Sequence, residues 1–283
     1  MKTAITPMMQ PTTELIGVDR VLNIGILGVG ELTEKVVIGL RRSGFGGRVL
    51  LSPRNHERAQ HLSAQWDCEV MADNQQVVDG ADLLVLGVRP EVVGQLCDEV
   101  QLRPEQTLVS LVAGLPLAEL QRRFPQARVV RAMLSYAAQI NQTTVVVTPG
   151  GEPHATLLGA LGSLVVLDQE EAFELATVAA CMNGWFYFFL SDLQQWFTDK
   201  GLSKDQAAQL VMGNLQDCLA SARHQPTASL EALGSAIATP GTFTAAGLEV
   251  LRNNGASQAW TAAADEVLER LHKPLPTGLA KKQ

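Results

Sequence analysis

The stretch Asn23-Ile24-Gly25-Ile26-Leu27-Gly28-Val29-Gly30-Glu31-Leu32-Thr33 decides how the rest of the chain is read. An apolar run leads directly into two glycines one residue apart, and an amphipathic segment over 31–43 follows. Strand, Gly-x-Gly, helix is the order that a phosphate-binding turn requires. The first glycine permits the tight turn and the second lets backbone amides approach a pyrophosphate. The helix adds unpaired N–H groups at the positive end of its dipole. Thr33 stands where a third small residue is usual, which predicts slightly looser helix–strand packing. Glu31 puts a carboxylate in the first turn, where it suits the dipole but would repel a phosphate. A purely structural turn would share these residues, so the surrounding pattern has to carry the reading.

Outward from this turn, short apolar runs alternate with helical spacing. Strands are expected at 23–27, 48–52, 68–71, 82–88, 107–112, 128–133, 143–147 and 164–168, with helices at 31–43, 56–66 and 91–100 between the early ones. That alternation predicts a parallel, doubly wound sheet. After Asp168 the segments 170–199, 203–223, 228–237 and 244–271 all show helical spacing, so the second half is expected to be all-helical. The fold class is therefore α/β, a Rossmann-type sheet followed by a helical domain. The expected boundaries are an extension at 1–21, a nucleotide-binding domain at 22–168, a helical domain at 169–272 and a tail at 273–283.

Composition narrows the function classes. A chain of 283 residues that is 46% hydrophobic has enough apolar material for one large or two ordinary packed domains. Its formal charge of −7, with scattered Lys and Arg, argues against a nucleic-acid partner. No uninterrupted run approaches 18 apolar residues, which argues against a membrane partner. The first twenty residues lack the apolar middle of a signal peptide. Cys68, Cys97, Cys181 and Cys218 show no metal or disulfide spacing, so reduced thiols, a cytoplasmic location and no metal are expected.

The end of the second strand indicates which dinucleotide is favoured. An NAD site usually places Asp or Glu there for the ribose hydroxyls. Here the sequence is Leu51-Ser52-Pro53-Arg54-Asn55, without an acid. A hydroxyl and a guanidinium suit a 2′-phosphate instead, so NADP(H) is expected over NAD(H).

Read together, GILGVGEL (25–32), SPRN (52–55), ADN (72–74), LGVRPE (86–91), LVAG (111–114), RVVRAM (128–133), GLSKDQAAQLV (201–211) and ATPGTFTAAGLEVL (238–251) resemble the pyrroline-5-carboxylate reductase family in order and spacing. The resemblance covers roughly 22–272. It implies a helical dimerisation domain, a homodimer, and NAD(P)H-dependent reduction of a cyclic imine acid to proline in amino-acid biosynthesis. Carried over by position, it implies coenzyme contacts at Gly28, Gly30, Leu32, Ser52, Arg54, Asn55 and Asn74. It adds Val88, Arg89 and Pro90 with Ala113 and Gly114 on the far side. Arg89 replaces the usual Lys and keeps its charge.

The substrate motifs depart from the pattern. Met-Pro-Asn becomes Met133-Leu134-Ser135, and Ser-Gly-Ser-Gly-Pro-Ala-Tyr becomes Ala179-Ala180-Cys181-Met182-Asn183-Gly184-Trp185. Thr-Ser-Pro-Gly-Gly-Thr-Thr becomes Ala238-Thr239-Pro240-Gly241-Thr242-Phe243-Thr244. The resemblance implies that Thr244 is catalytic, hydrogen-bonding the ring nitrogen, and that Met133 and Ser135 border the small-molecule substrate. Thr239 and Pro240 look like a cap and first-turn proline of a helix. Amides around Thr239, Pro240 and Gly241 would then receive the substrate carboxylate. The aromatic run 185–190 is expected in helix core or a dimer interface rather than in a substrate cage.

Two other classes stay open. A non-catalytic NADP-binding sensor or assembly protein on the same fold is supported by Glu31, Leu134 and Phe243. A hydroxyacid dehydrogenase would need a helix lysine early in the helical half, and no Lys occurs between Glu170 and Phe197.

Overall fold

In the computed structural model, residues 21–273 are described. The expected N-terminal extension and C-terminal tail lie, but for Val21 and Lys273, outside the described residues. The first half alternates β1 (Ile24–Leu27), α1 (Glu31–Arg42), β2 (Val49–Leu51), α2 (His56–Trp66), β3 (Glu69–Val70), α3 (Asn74–Gly80), β4 (Leu83–Leu86), α4 (Val93–Glu99), β5 (Thr107–Ser110), α5 (Leu117–Arg123) and β6 (Arg128–Met133). Then come β7 (Thr143–Thr148), α6 (His154–Gly159) and β8 (Gly162–Val166). The helical half comprises α7 (Phe173–Asp199), α8 (Lys204–His224), α9 (Leu230–Ile237), α10 (Phe243–Asn253) and α11 (Ala256–His272).

The strands form one sheet in the order β3-β2-β1-β4-β5-β6-β7-β8. The expectation of a wholly parallel sheet needs one correction, because β7 runs antiparallel to β6, with Ala132 opposite Val147. The connection 134–142 is too short for a crossover helix, so the chain can only turn back on itself. It holds a 3-10 turn over Tyr136–Ile140.

Strand periodicity sorts the core into two layers. Ile24, Ile26, Val49, Leu51, Leu83 and Val85 pack with Val36, Val37 and Leu40 of α1 and Leu62 of α2 on one face. Leu27, Leu50, Leu84 and Leu86 pack with α3, α4 and α5 through Val77, Leu96 and Leu120 on the other. With both faces covered, the central strands are buried at every position, which explains their continuous apolar runs.

The helical half is assembled differently. Among the described residues only Phe173, Thr177 and Val178 of α7 and Ala207 and Val211 of α8 are buried, and none are in α9, α10 or α11. Trp185, Phe186 and Phe189 gather on Trp260 of α11, with ring centroids 6.1, 5.5 and 6.3 Å away. Tyr187 and Phe188 are 74% and 76% exposed, so helix core is excluded for them within one chain. By length and composition alone, residues 170–199 could cross a membrane. A count of uninterrupted apolar residues overlooked this because Glu174, Thr177 and Asn183 interrupt the run without making the helix polar.

Candidate functional site

The chain leaves β1 through Gly28, whose φ of +95° lies in the left-handed region. A Cβ there would stand 2.5 Å from Cγ1 of Val88 and 3.0 Å from the Gly87 carbonyl carbon, so the β1 and β4 loops touch at this point. Gly30 is different, because a Cβ on it would meet only the Gly87 carbonyl oxygen at 3.8 Å. Its missing side chain leaves open space at the mouth of the turn.

Thr33 corrects the expectation of looser packing. It is buried, and a Cβ at position 87 would collide with its Cγ2. The glycine that permits close helix–strand contact has moved to Gly87, on the facing loop. The Thr33 hydroxyl accepts the Gly30 N–H at 2.8 Å and donates to the Gly28 carbonyl at 2.9 Å, which fixes the turn from inside.

Around the turn opens a cleft of about 540 Å³ lined by Gly28, Val29, Gly30, Arg54, Asn55, His56, Gly87, Val88, Arg89 and Val92. It lies beyond the carboxyl ends of β1, β2 and β4, where such sheets bind nucleotides. Expected coenzyme residues Gly28, Gly30, Arg54, Asn55, Val88 and Arg89 are brought together here. Val29, His56, Gly87 and Val92 were not foreseen as coenzyme contacts. The first three adjoin expected contact residues and Val92 follows Arg89 by one short turn, so extending each motif by a residue or a turn would have found them.

The remaining coenzyme candidates border the cleft's loops or support them. Ser52 is buried, and its hydroxyl accepts the Gly28 N–H at 3.0 Å, tying the end of β2 to the glycine turn. Asn55 caps α2 and donates to the Val29 carbonyl at 2.9 Å. Leu32 packs on the core behind the turn. Asn74 opens α3 and donates to Glu99 at 2.7 Å. Pro90 starts a short 3-10 turn, and Gly114 has φ +66° in the exposed loop with Ala113.

Glu34 of α1 is held by Arg58 of α2, which offsets a nearly buried carboxylate behind the turn. Burial first, then the Glu31 carboxylate, pushes the Tyr136 hydroxyl above its ordinary value. Glu31 thus lies near a phenol of the β6–β7 connection.

The substrate candidates fall into two groups, and none lines the cleft. Met133 ends β6, and Ser135 caps the 3-10 turn with its hydroxyl 3.1 Å from that of Thr143. Thr239, Pro240, Gly241 and Thr244 are exposed on the helical half. The expected helix start is displaced by three residues. Thr242, not Thr239, caps α10 and accepts the Ala245 N–H at 3.1 Å. Thr239–Thr242 form a turn closed by Thr242 N–H to the Thr239 carbonyl at 3.1 Å, with Gly241 at φ +86°. Proline then glycine at the two central positions suits a type II turn better than a first helical turn. Phe243 is fully exposed at 100%.

Comparison with known proteins agrees with this geometry. The family described as "NADP oxidoreductase coenzyme F420-dependent" matches residues 23–114, and "Pyrroline-5-carboxylate reductase dimerisation" matches residues 170–273. The pyrroline-5-carboxylate reductase of Pseudomonas aeruginosa is 30% identical over 267 residues, covering 87% of this chain and 96% of its own. Among solved structures, the 1-pyrroline-5-carboxylate reductase of Streptococcus pyogenes superposes with a TM-score of 0.78 at 25% identity, covering 88% and 98% of the two chains. The pyrroline carboxylate reductase of Plasmodium falciparum, solved with NADP bound, shares the fold at TM-score 0.77 and 17% identity, covering 88% and 97%.

Proposed function

The chain belongs to the pyrroline-5-carboxylate reductase family, and on that premise we propose that it reduces pyrroline-5-carboxylate, or a related cyclic imine acid, to the saturated amino acid with NADPH. The observation that carries this reading is the Gly28–Gly30 turn opening on a cleft that holds two guanidinium side chains, Arg54 and Arg89. A Cβ at position 30 would project into the space a pyrophosphate needs, so the residues present fit a dinucleotide.

In this reading the first-turn amides of α1 receive the pyrophosphate and Arg54 the 2′-phosphate. Asn55 and Ser52 hold the loop that carries Arg54, and Arg89 closes the opposite wall. When bound, NADPH supplies a hydride to the imine carbon while the ring nitrogen carries a proton, leaving NADP⁺ and a secondary amine. A protonated imine accepts hydride without further acid–base machinery, so the protein's task is orientation. Thr244 hydrogen-bonds the nitrogen, and Met133 and Ser135 border the ring. The amides available for a carboxylate on the helical half include those of Phe243 and Thr244, behind the Thr242 cap, beside those of Thr239 and Gly241.

The chain forms a homo-oligomer through its dimerisation region. The finer reading is a cytoplasmic homodimer built on the helical half. Thr244 is exposed and lines no part of its own chain's cleft, so a second copy is what would bring it to a coenzyme. That copy, not a bilayer, would cover the apolar face of α7, which carries Glu174 in its first turn and follows Glu170 and Glu171.

The test is oxidation of NADPH, followed with pyrroline-5-carboxylate and a panel of cyclic imine acids. Turnover that falls in Thr244→Ala is expected. Tight NADPH binding without turnover on any imine would instead favour a binding protein on the same fold.

A further inference from the structure

Arg131 is a charged residue on the buried strand β6, two positions before Met133. Its side chain is only 2% exposed, and its guanidinium lies 4.1 Å from the ring centre of Phe173. One terminal nitrogen donates to Oε1 of Glu170 at 3.1 Å, the other to Oε1 of Glu174 at 2.8 Å. The same Glu170 oxygen accepts the backbone N–H of Leu117, the first residue of α5. The segment that leads into Leu117 is the loop carrying Ala113 and Gly114. One carboxylate oxygen thus joins the loop after β5, the end of β6 and the entry to α7.

Stability alone is a poor reason for this cluster. Burying a guanidinium with two carboxylates costs desolvation that well-packed apolar residues avoid. Arg131 Nε and Glu174 Oε2 are also buried with no hydrogen-bond partner among the described residues. What the cluster does supply is fixed direction, because a planar guanidinium held by two carboxylates over an aromatic ring has little freedom.

We infer that Arg131 and Glu170 are positioning residues that register the 111–116 loop and the Met133–Ser135 segment to the first turn of α7, and so index the cleft to the helical half. This rests on the reading that those two segments border the coenzyme and substrate. Neither residue touches the reacting atoms.

Full-length Arg131→Met, Glu170→Ala and Glu170→Gln test it by steady-state kinetics with NADPH and pyrroline-5-carboxylate, thermal unfolding, and hydrogen exchange over 111–117. Arg131→Met leaves the Glu170 and Glu174 carboxylates without their cation. It should lower the unfolding temperature and in addition lose about 10- to 100-fold in kcat, the scale of a small misplacement of reacting groups. Glu170→Ala should lose a similar factor and release protection at the Leu117 amide. Glu170→Gln keeps an acceptor for both donors and should recover most of the rate. Should Arg131→Met fail to fold, the two Glu170 variants decide, since Glu174 still holds Arg131 in both. If Arg131→Met and Glu170→Ala keep kcat within about twofold and move only the unfolding temperature, the inference is wrong. A wild type that does not turn over pyrroline-5-carboxylate would overturn the proposed activity. The exchange of Leu117 would then still decide whether Glu170 holds the 111–116 loop in place, and unchanged protection in Glu170→Ala would overturn that.

Discussion

Gly28 and Gly30 stand two residues apart, and their missing side chains protect different things. At Gly28 both the backbone angle and the contact with Val88 forbid a side chain. Gly28→Ala should therefore lower stability by about 1–3 kcal/mol, the usual cost of a strained backbone, and weaken NADPH binding as the turn deforms. Gly30→Ala meets no steric obstacle in the protein. It should unfold at nearly the wild-type temperature while losing most coenzyme affinity, a contrast that calorimetry and a fluorescence titration would resolve. Arg54 separates the two coenzymes. Arg54→Ala should weaken NADPH by about tenfold or more, the worth of a charge-assisted hydrogen bond, and leave NADH within about threefold. Equal losses for both would remove the 2′-phosphate assignment. At this scale the placing of the glycine turn and Arg54 on one cleft was readable, because it follows from residue type and position. Ser52 was not, since nothing in the sequence says that its hydroxyl turns inward to the Gly28 amide.

Among the elements, all eight strands were legible, the central ones because an apolar run bounded by turn residues is unambiguous in a sheet covered on both faces. The strands β3 and β8 hold no buried residue, and β8 starts two residues before its expected position. The helices α3, α5 and α6 were not. Each is too short for a helical period to show, and all three depend on packing against the sheet. The last of them carries a pH-sensitive group. His154 is fully buried at the start of α6 and shares a hydrogen bond of 3.1 Å with the Pro149 carbonyl, so Nε2 is the donor and neutral Nδ1 has no partner among the described residues. Burial first, then the Arg128 charge, holds its pKa below the ordinary 6.5. The folded state thus binds fewer protons than the unfolded one. Its contribution to stability is complete above about 6.5 and is lost as pH falls toward the lowered folded value. Glu119, held at about 2 by Arg122 and Arg123, titrates far below this window. The urea midpoint should therefore fall between about pH 6.5 and 5 in the wild type. His154→Gln, which keeps a donor for Pro149, should flatten that part of the curve.

For the molecule as a whole, the sheet and the helical half reach stability by different routes. The sheet buries its apolar residues within one chain. The helical half leaves Phe186, Tyr187, Phe188, Trp196, Leu219, Ile237 and Phe243 exposed on helices that surround no core of their own. The sequence identified the aromatic run 185–190 as core or interface but could not choose, since helical spacing records that a face is covered and not by which chain. A patch this extensive on a folded chain marks an association surface. The same half carries Thr244, so assembly and turnover should be linked. Phe188→Glu, at the 76% exposed centre of α7, places a charge in the proposed interface without disturbing the sheet. Sedimentation should show monomer at concentrations where the wild type associates, and kcat should fall with the fraction dissociated. NADPH should still bind at nearly wild-type strength, because its cleft lies within one chain. A monomeric variant that retained full turnover would separate Thr244 from the reaction and return the substrate site to the end of β6.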